Sequence, residues 1–197
     1  MLNKKNNELN NLIEQTKKKE KVKKEHVDVN WIIKILIMSF TISFGLSFVS
    51  QMTIPNLSLV FGIIVTLLFI GLGILFDIIG VSVTSSDEAV FHSMNSRKVK
   101  GASIAVKFKK NADKVASFCN DVIGDICGIV SGAAGTTIAA IVISTYDFNP
   151  LIVTLTVSAT IAALTIGGKA VGKSFAINKS DIILYEFAKF VATFYKK

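Results

Sequence analysis

The longest uncharged run in this sequence extends from Ile35 to Phe76, and no Asp, Glu, Lys or Arg interrupts it. At 1.5 Å per residue, a helix of that length is much longer than the ~30 Å hydrocarbon core of a bilayer requires. Pro55 cannot continue a helix interior and divides the run. The pattern therefore predicts two membrane-spanning helices, at about 31–50 and 57–80.

Two further apolar segments follow. Val115 to Ile143 is apolar except for a few polar residues near its start, and Phe148 to Gly168 carries no charge. Only 18% of the 197 residues are charged and 51% are apolar, which is too little charge for the surface of a soluble domain of this length. We therefore expect an all-α integral membrane protein. Its four spans are predicted at about 31–50, 57–80, 115–143 and 148–168.

Thirty mostly polar residues precede the first predicted span. The length of that span suits a membrane anchor and not the short apolar region of a cleaved signal peptide. We call these thirty residues the N-terminal arm. The arm contains the stretch KKKEKVKKE, in which Glu is interleaved with Lys, and it lacks aromatic residues. We therefore expect it to lie near anionic lipid and not to bind nucleic acid.

All lysine and arginine residues but one lie in one set of the predicted connections, and the exception, Lys34, can snorkel from the start of the first span. The N-terminal arm holds eight, the segment between the second and third spans holds seven, and the C-terminal segment holds six, at 1–30, 82–116 and 169–197. The connections 51–56 and 144–149 hold none. Because basic residues concentrate on the cytoplasmic side of cell-membrane proteins, both termini are predicted to be cytoplasmic.

The segment after the fourth span has the pattern of an amphipathic helix. Its polar face is predicted to carry Glu186, Lys189, Thr193 and Lys196, opposite an apolar stripe of Ile183, Phe187, Phe190 and Phe194. Ser180 suits an N-cap, with Asp181 in the first turn. We expect three parts in this chain: a basic arm at 1–30, a transmembrane domain at 31–176 and a juxtamembrane helix at 177–197.

Polar side chains occur where three predicted spans approach the cytoplasm. They are Asp77, Thr84, Ser85, Asp87 and Glu88 in the second span, Asn120, Asp121 and Asp125 in the third, and Lys169, Lys173 and Ser174 in the fourth. The spacing of Asp77, Thr84 and Glu88 predicts that they share one helix face. Ionisable residues inside a span are costly and usually functional, although those in a last turn also fit the headgroup region.

Two motifs in the later spans concern packing and phosphate binding. Gly124, Gly128 and Gly132 form two overlapping GxxxG units, which predict close helix contact within this chain or with a second copy. GGKAVGKS, at 167–174, fits the P-loop pattern, but an apolar span precedes it where that pattern requires a β-strand. We therefore expect no nucleotide, and glycines with snorkelling lysines explain the motif better.

Three motifs, in order, resemble the transmembrane domain of the CNNM/CorB/CorC proteins, a family associated with Mg²⁺ and other divalent cations. VTSSDEAVFHS is similar to a family pattern like FFSASETALFS, NDVIGDICGI to one like ILIGNTLVN, and GKAVGKSFAINKSD to one like GEILPKSLAIRNAE. The likeness covers about residue 57 to the C-terminus, without the family's CBS domains. It makes the first span an addition to a three-helix core, and it implies a homodimer.

The resemblance implies a cation site between the three core helices. The oxygen ligands carried over are the Ser85, Asp87 and Asp125 side chains and the Gly124 carbonyl, with Glu88, Asp121 and Lys169 beside them. Carboxylates and hydroxyls without Cys suit a hard cation such as Mg²⁺. Lys169, however, stands where the family has a glutamate. A charged lysine cannot ligate a metal, so its ammonium either modulates the site or takes the cation's place, paired with Asp125 or Asp87.

Two functions follow from these motifs, and neither is enzymatic. The first is movement of Mg²⁺ or a related divalent cation through the core helices. The alternative is a non-transporting relative that acts as a membrane scaffold or as a regulatory partner of a full-length CNNM/CorB-type transporter. A weaker third interpretation is an ion- or proton-coupled carrier that uses Asp77 as a relay.

Overall fold

A computed structural model describes residues 29–53 and 58–194. All regular structure in these two ranges is helical. The helices are α1 (Val29–Thr53), α2 (Leu59–Ser85), α3 (Glu88–Ser96), α4 (Ala102–Lys110), α5 (Ala112–Ser117), α6 (Asp125–Tyr146), α7 (Pro150–Asn178) and α8 (Ser180–Phe194), and a π-helical segment, Phe118–Gly124, joins α5 to α6.

Four helices in the described ranges are long and apolar enough to cross a membrane, in the order that the sequence predicts. They are Val29–Thr53, Leu59–Ser85, the continuous run Ala112–Tyr146, and Pro150–Asn178. Each extends beyond its predicted span at the end that is predicted to face the cytoplasm. The additional turns carry polar or charged residues, because a helix does not stop at the edge of the hydrocarbon and long side chains reach outward from its ends.

The chain divides into two compact units, Met1–Lys34 and Ile35–Lys197. Of the first unit only the opening turns of α1 are described, so the predicted basic arm and its placement near lipid lie outside the described residues. The same holds for the connection at 54–57 and for Lys196.

Helix α2 is the element that organises the second unit. It packs against α6, α7 and the π-helical segment along its length, and against α5 and α8 at the end near Ser85. We call that end the inner end, following the predicted topology. A separate cluster of Val122, Ile126 and Val130 is covered by Ile35, Ile42 and Leu46 of α1.

The inner end carries a small helical layer, of which the sequence pattern predicts only the C-terminal helix. Helices α3, α4 and α8 bury a common apolar core with α2, made of Ile79, Val83, Phe91, Ala105, Val106, Cys119, Leu184 and Ala188. The predicted amphipathic C-terminal helix is present as α8, and it lies on its own protein along one face. The segment predicted as a basic connection is therefore mostly helix.

Local capping explains where the layer's helices begin. Asp87 is the N-cap of α3, and its carboxylate accepts a hydrogen bond from the Ala89 amide. Gly101 precedes α4 with φ of 89°, and a Cβ there would lie 2.8 Å from the Lys189 Cα, so both the backbone conformation and the space require glycine. At the other end of the molecule, Asn149 caps α7 and Pro150 occupies its first turn.

Candidate functional site

The polar centre of the molecule lies where α6 and α7 meet beside α2. The Lys169 ammonium of α7 is 3.5 Å from a carboxylate oxygen of Asp125, the first residue of α6. The Lys169 side chain is 26% exposed and that of Asp125 65% exposed. The two opposite charges, which are predicted to lie at the same depth in the membrane, therefore form an ion pair. Its carboxylate is the more exposed partner.

Backbone from two helices comes unusually close to this ion pair. A Cβ built on Gly124 would lie 3.6 Å from the Lys169 ammonium and 3.7 Å from the Gly73 carbonyl oxygen. A Cβ built on Gly73 would in turn lie 3.3 Å from the Gly124 carbonyl oxygen and 3.1 Å from the Cys127 Cβ. Glycine at both positions lets α2 and the start of α6 approach in this way.

The helix is π-helical immediately before Asp125. The segment Phe118–Gly124 forms hydrogen bonds one residue wider than those of an α-helix. Such turns are rare and frequently lie at functional sites. Here the segment brings Asn120, Gly124 and then Asp125 to the face of α2 and α7, a result that a regular 3.6-residue pattern does not give.

Two buried polar groups in this region have no partner among the described residues. Asp77 in α2 is 8% exposed, and no hydrogen bond or ion pair links it to any other residue of those ranges. The Asn120 Oδ1 atom is likewise buried without a hydrogen-bond partner. The amide of Asn120 fills the space where Gly80 lacks a side chain, and a Cβ there would lie 2.6 Å from its Cγ. Asp77 is one turn from Gly80 on α2, so Asp77 and the Asn120 amide lie along the same line of contact between α2 and the π-helical segment. We call this line of contact the seam.

The predicted ligands Ser85 and Asp87 lie at the inner end, and Asp87 is bonded to the helical layer. Ser85 is the last residue of α2, and Asp87 is the N-cap of α3. The Asp87 amide donates to a carboxylate oxygen of Asp181 at 2.8 Å, which ties α3 to α8. Asp87 thus has a structural role as a cap, Ser85 is exposed at the end of α2, and the metal ligation of both stays a prediction.

Two of the remaining predicted polar residues, Glu88 and Asp121, are bonded to residues four positions away in sequence. The Glu88 carboxylate is 3.1 Å from the His92 Nε2 atom within α3, and the Asp121 carboxylate accepts the Ser117 hydroxyl at 2.6 Å. The prediction that Glu88 shares a helix face with Asp77 and Thr84 is wrong, because α2 ends at Ser85 and a new helix starts at Glu88. Within the described ranges, no three His, Cys, Asp or Glu side chains are grouped to hold a metal.

Of the three glycines that are predicted to allow close helix contact in the third span, only one does so among the described residues of a single chain. Gly124 makes the close contact described above, whereas a Cβ at Gly128 or Gly132 would meet nothing within 4 Å. The chain packs this helix on α7 through Gly135 instead, against the Ile161 side chain. Close contact at Gly128 and Gly132 with a second copy stays a prediction.

One contact between the helical layer and α2 is not indicated by any pattern in the sequence. The Lys109 ammonium of α4 donates to the main-chain oxygens of Val83 and Thr84, at 3.1 and 2.8 Å. These are carbonyl groups in the last turn of α2, which carry partial negative charge. Lysines are common in a basic segment, and only the fold shows which one turns inward.

The P-loop-like motif is helical throughout. All of 167–174 lies inside α7, so its backbone amides belong to a continuous helix and do not form a phosphate loop. Gly168 and Gly172 serve packing, since a Cβ at either position would meet the side chain of Ile74 or Ile78 in α2.

No family model, no curated protein and no solved structure matches this chain. The resemblance to the CNNM/CorB/CorC transmembrane domain consequently rests on the three motifs alone.

Proposed function

We propose that this chain is a membrane protein of the CNNM/CorB type whose cation position is filled by its own Lys169 ammonium, and that it acts as a scaffold or regulatory partner and moves no Mg²⁺ itself. The observation that carries this proposal is the 3.5 Å ion pair between Lys169 and Asp125 beside Gly124. Asp125 and Gly124 are two of the groups that the family resemblance carries over as ligands.

Charge balance supports the proposal. In a low-dielectric surrounding, a carboxylate requires a compensating positive charge, and a single ammonium neutralises Asp125. A divalent ion in the same place would meet the Lys169 charge at close range and be repelled. Asp87 does not offset that repulsion, because its carboxylate caps α3 and accepts a hydrogen bond from the Ala89 amide.

The proposal is tested by restoring the family's acidic residue. Purified protein in detergent is heated with and without millimolar Mg²⁺, and unfolding is followed by circular dichroism. We expect no Mg²⁺-dependent shift in Tm for the natural sequence. We expect a clear rise for Lys169→Glu, because two adjacent carboxylates repel each other until a cation binds them, and a ligand specific to the folded state stabilises it.

Lys173→Glu is the matched control, since Lys173 lies one turn further along α7 and is exposed. It makes the same charge change without reaching Asp125, so its Tm should not respond to Mg²⁺. A natural chain that Mg²⁺ stabilises, with that effect lost in Asp125→Ala, would contradict the proposal and favour transport.

Transport of a divalent cation is the second candidate, and buried Asp77 is the observation that favours it. A carboxylate that is 8% exposed and unpartnered among the described residues is costly in a candidate span, and such residues commonly mark ion pathways. The Asn120 Oδ1 atom adds a second oxygen on the same seam, also without a partner in the described ranges.

Flux measurements test this candidate directly. The protein is reconstituted in liposomes that contain a Mg²⁺-sensitive dye, and Mg²⁺ is added outside. Transport predicts uptake that Asp77→Asn abolishes and that Asp147→Asn, an exposed change in the connection between α6 and α7, leaves intact. Liposomes that hold folded protein and show no uptake of Mg²⁺, Co²⁺ or Mn²⁺ would exclude it.

A further inference from the structure

A group of exposed basic residues, close together in sequence, lies on the helical layer at the inner end, and the Lys169 site does not involve it. Its members are Arg97, Lys98, Lys100, Lys107 and Lys110. No side chain of this group has a hydrogen bond, ion pair or ring contact with any other described residue. Between residues 97 and 114 the sequence has only one acidic residue, Asp113. We call these five residues the basic patch.

The basic patch is held in place by the packing beneath it. Helix α4 buries Ala102, Ala105 and Val106 against the layer's core, which leaves Lys107 and Lys110 on its exposed side. Lys109, on the inward side, is fixed by its bonds to the carbonyls of α2. The direction of the two exposed lysines is therefore set by the fold and not by a flexible arm.

The position of the patch indicates its partner. Lys109 binds the last turn of α2, and α5, at the start of the next candidate span, begins two residues after α4 ends. When α2 and α6 cross a bilayer, α4 consequently lies at the level of the headgroups. Anionic phospholipids attract basic residues there by about 1 kcal/mol each, within a Debye length.

Nucleic acid fits the patch less well. Single-stranded nucleic acid is usually held by exposed aromatic rings that stack on the bases, in addition to the charges. The aromatic residue closest in sequence, Phe108, is half-buried and packs on Phe187 with ring centroids 5.6 Å apart. We propose that the basic patch is a binding surface for anionic phospholipid headgroups of the inner leaflet. The proposal rests on the embedding of the candidate spans in a bilayer and is independent of the role of Lys169.

Lipid selectivity measured on the full-length protein tests the proposal. The chain is reconstituted in phosphatidylcholine vesicles, and spin-labelled phosphatidylglycerol or phosphatidylcholine is added at trace amounts. Electron paramagnetic resonance gives the fraction of each lipid that the protein immobilises. We expect a preference for phosphatidylglycerol that falls in Lys107→Gln/Lys110→Gln, by up to about fivefold for each lysine removed.

Lys173→Gln/Lys179→Gln is the matched control, since it removes two exposed lysines that lie outside the patch, in the last turns of α7 and directly after its end. Its preference should stay near that of the natural chain, and added salt should weaken the preference of both. Equal preferences in the patch variant and the natural chain would overturn the proposal. It would also be overturned if the patch variant lost only the binding of a fluorescent single-stranded oligonucleotide, measured in detergent, while its lipid preference stayed unchanged.

Discussion

At the scale of single residues, glycines determine how closely the helices of the core approach each other. The amide of Asn120 lies where Gly80 would carry its Cβ, and the Gly73 and Gly124 backbones meet beside Lys169. These contacts place an unpaired amide oxygen and a buried carboxylate on one seam of the described structure. Small residues therefore determine the polar geometry here as much as the polar residues do.

Gly80→Ala is expected to destabilise the protein by about 1–3 kcal/mol, because the new methyl group displaces the Asn120 amide from a packed core. Gly71→Ala is its control in the same helix, since a Cβ there meets nothing within 4 Å. Alanine has the higher helix propensity, so that change should be neutral or stabilising. Thermal unfolding in detergent measures both, and an equal loss of Tm in the two variants would contradict the packing argument.

At the scale of elements, Lys109 joins the helical layer to α2. Lys109→Met removes two charge-assisted hydrogen bonds and is expected to cost about 1.5–3 kcal/mol locally. Hydrogen exchange of residues 102–110, measured by mass spectrometry, should accelerate in this variant. Lys107→Met, on the exposed side of the same helix, should leave the exchange unchanged, and faster exchange in both variants would mean that any loss of charge loosens α4.

The elements also show where sequence reasoning succeeds and where it stops. Long apolar runs predict the four candidate spans because the period and length of a spanning helix are constrained by the bilayer. Lys169 and Asp125 were predicted to share a depth, and they do meet. The π-helical segment was not predicted, because the spacing of apolar residues does not distinguish its single wider turn from an α-helix. The capping role of Asp87 was missed for a similar reason, since an Asp after a helix end serves equally as a ligand and as a cap.

At the scale of the whole molecule, the proposed topology places the helical layer in the cytoplasm and the connection between α6 and α7 outside. Both native cysteines, Cys119 and Cys127, are buried at 2% and 4% exposure, so they give little background to a thiol reagent. Ser144 and Ser93 are exposed at opposite ends. Each can be replaced by a nearly isosteric cysteine.

A membrane-impermeant maleimide applied to intact cells should label Ser144→Cys and leave Ser93→Cys unlabelled until the cells are permeabilised. The reason is the distribution of Lys and Arg, which favours the cytoplasm for the segment that contains Ser93. Labelling of both positions in intact cells, or the reverse pattern, would show that the assigned orientation is wrong.

The π-helical segment has a consequence for the length of the chain. Because its hydrogen bonds enclose one residue more than those of an α-helix, and each α-helical residue turns by about 100°, the helix beyond Gly124 is rotated relative to a regular continuation. A deletion of one residue within 118–124 would remove the extra residue and let the helix become regular, and it would leave Asp125 facing Lys169, because the wider turn takes up about the rotation of one α-helical residue. A one-residue gap between homologous sequences in this segment is therefore compatible with an unchanged Lys169–Asp125 pair, since it removes the wider turn and leaves the same side chains facing each other.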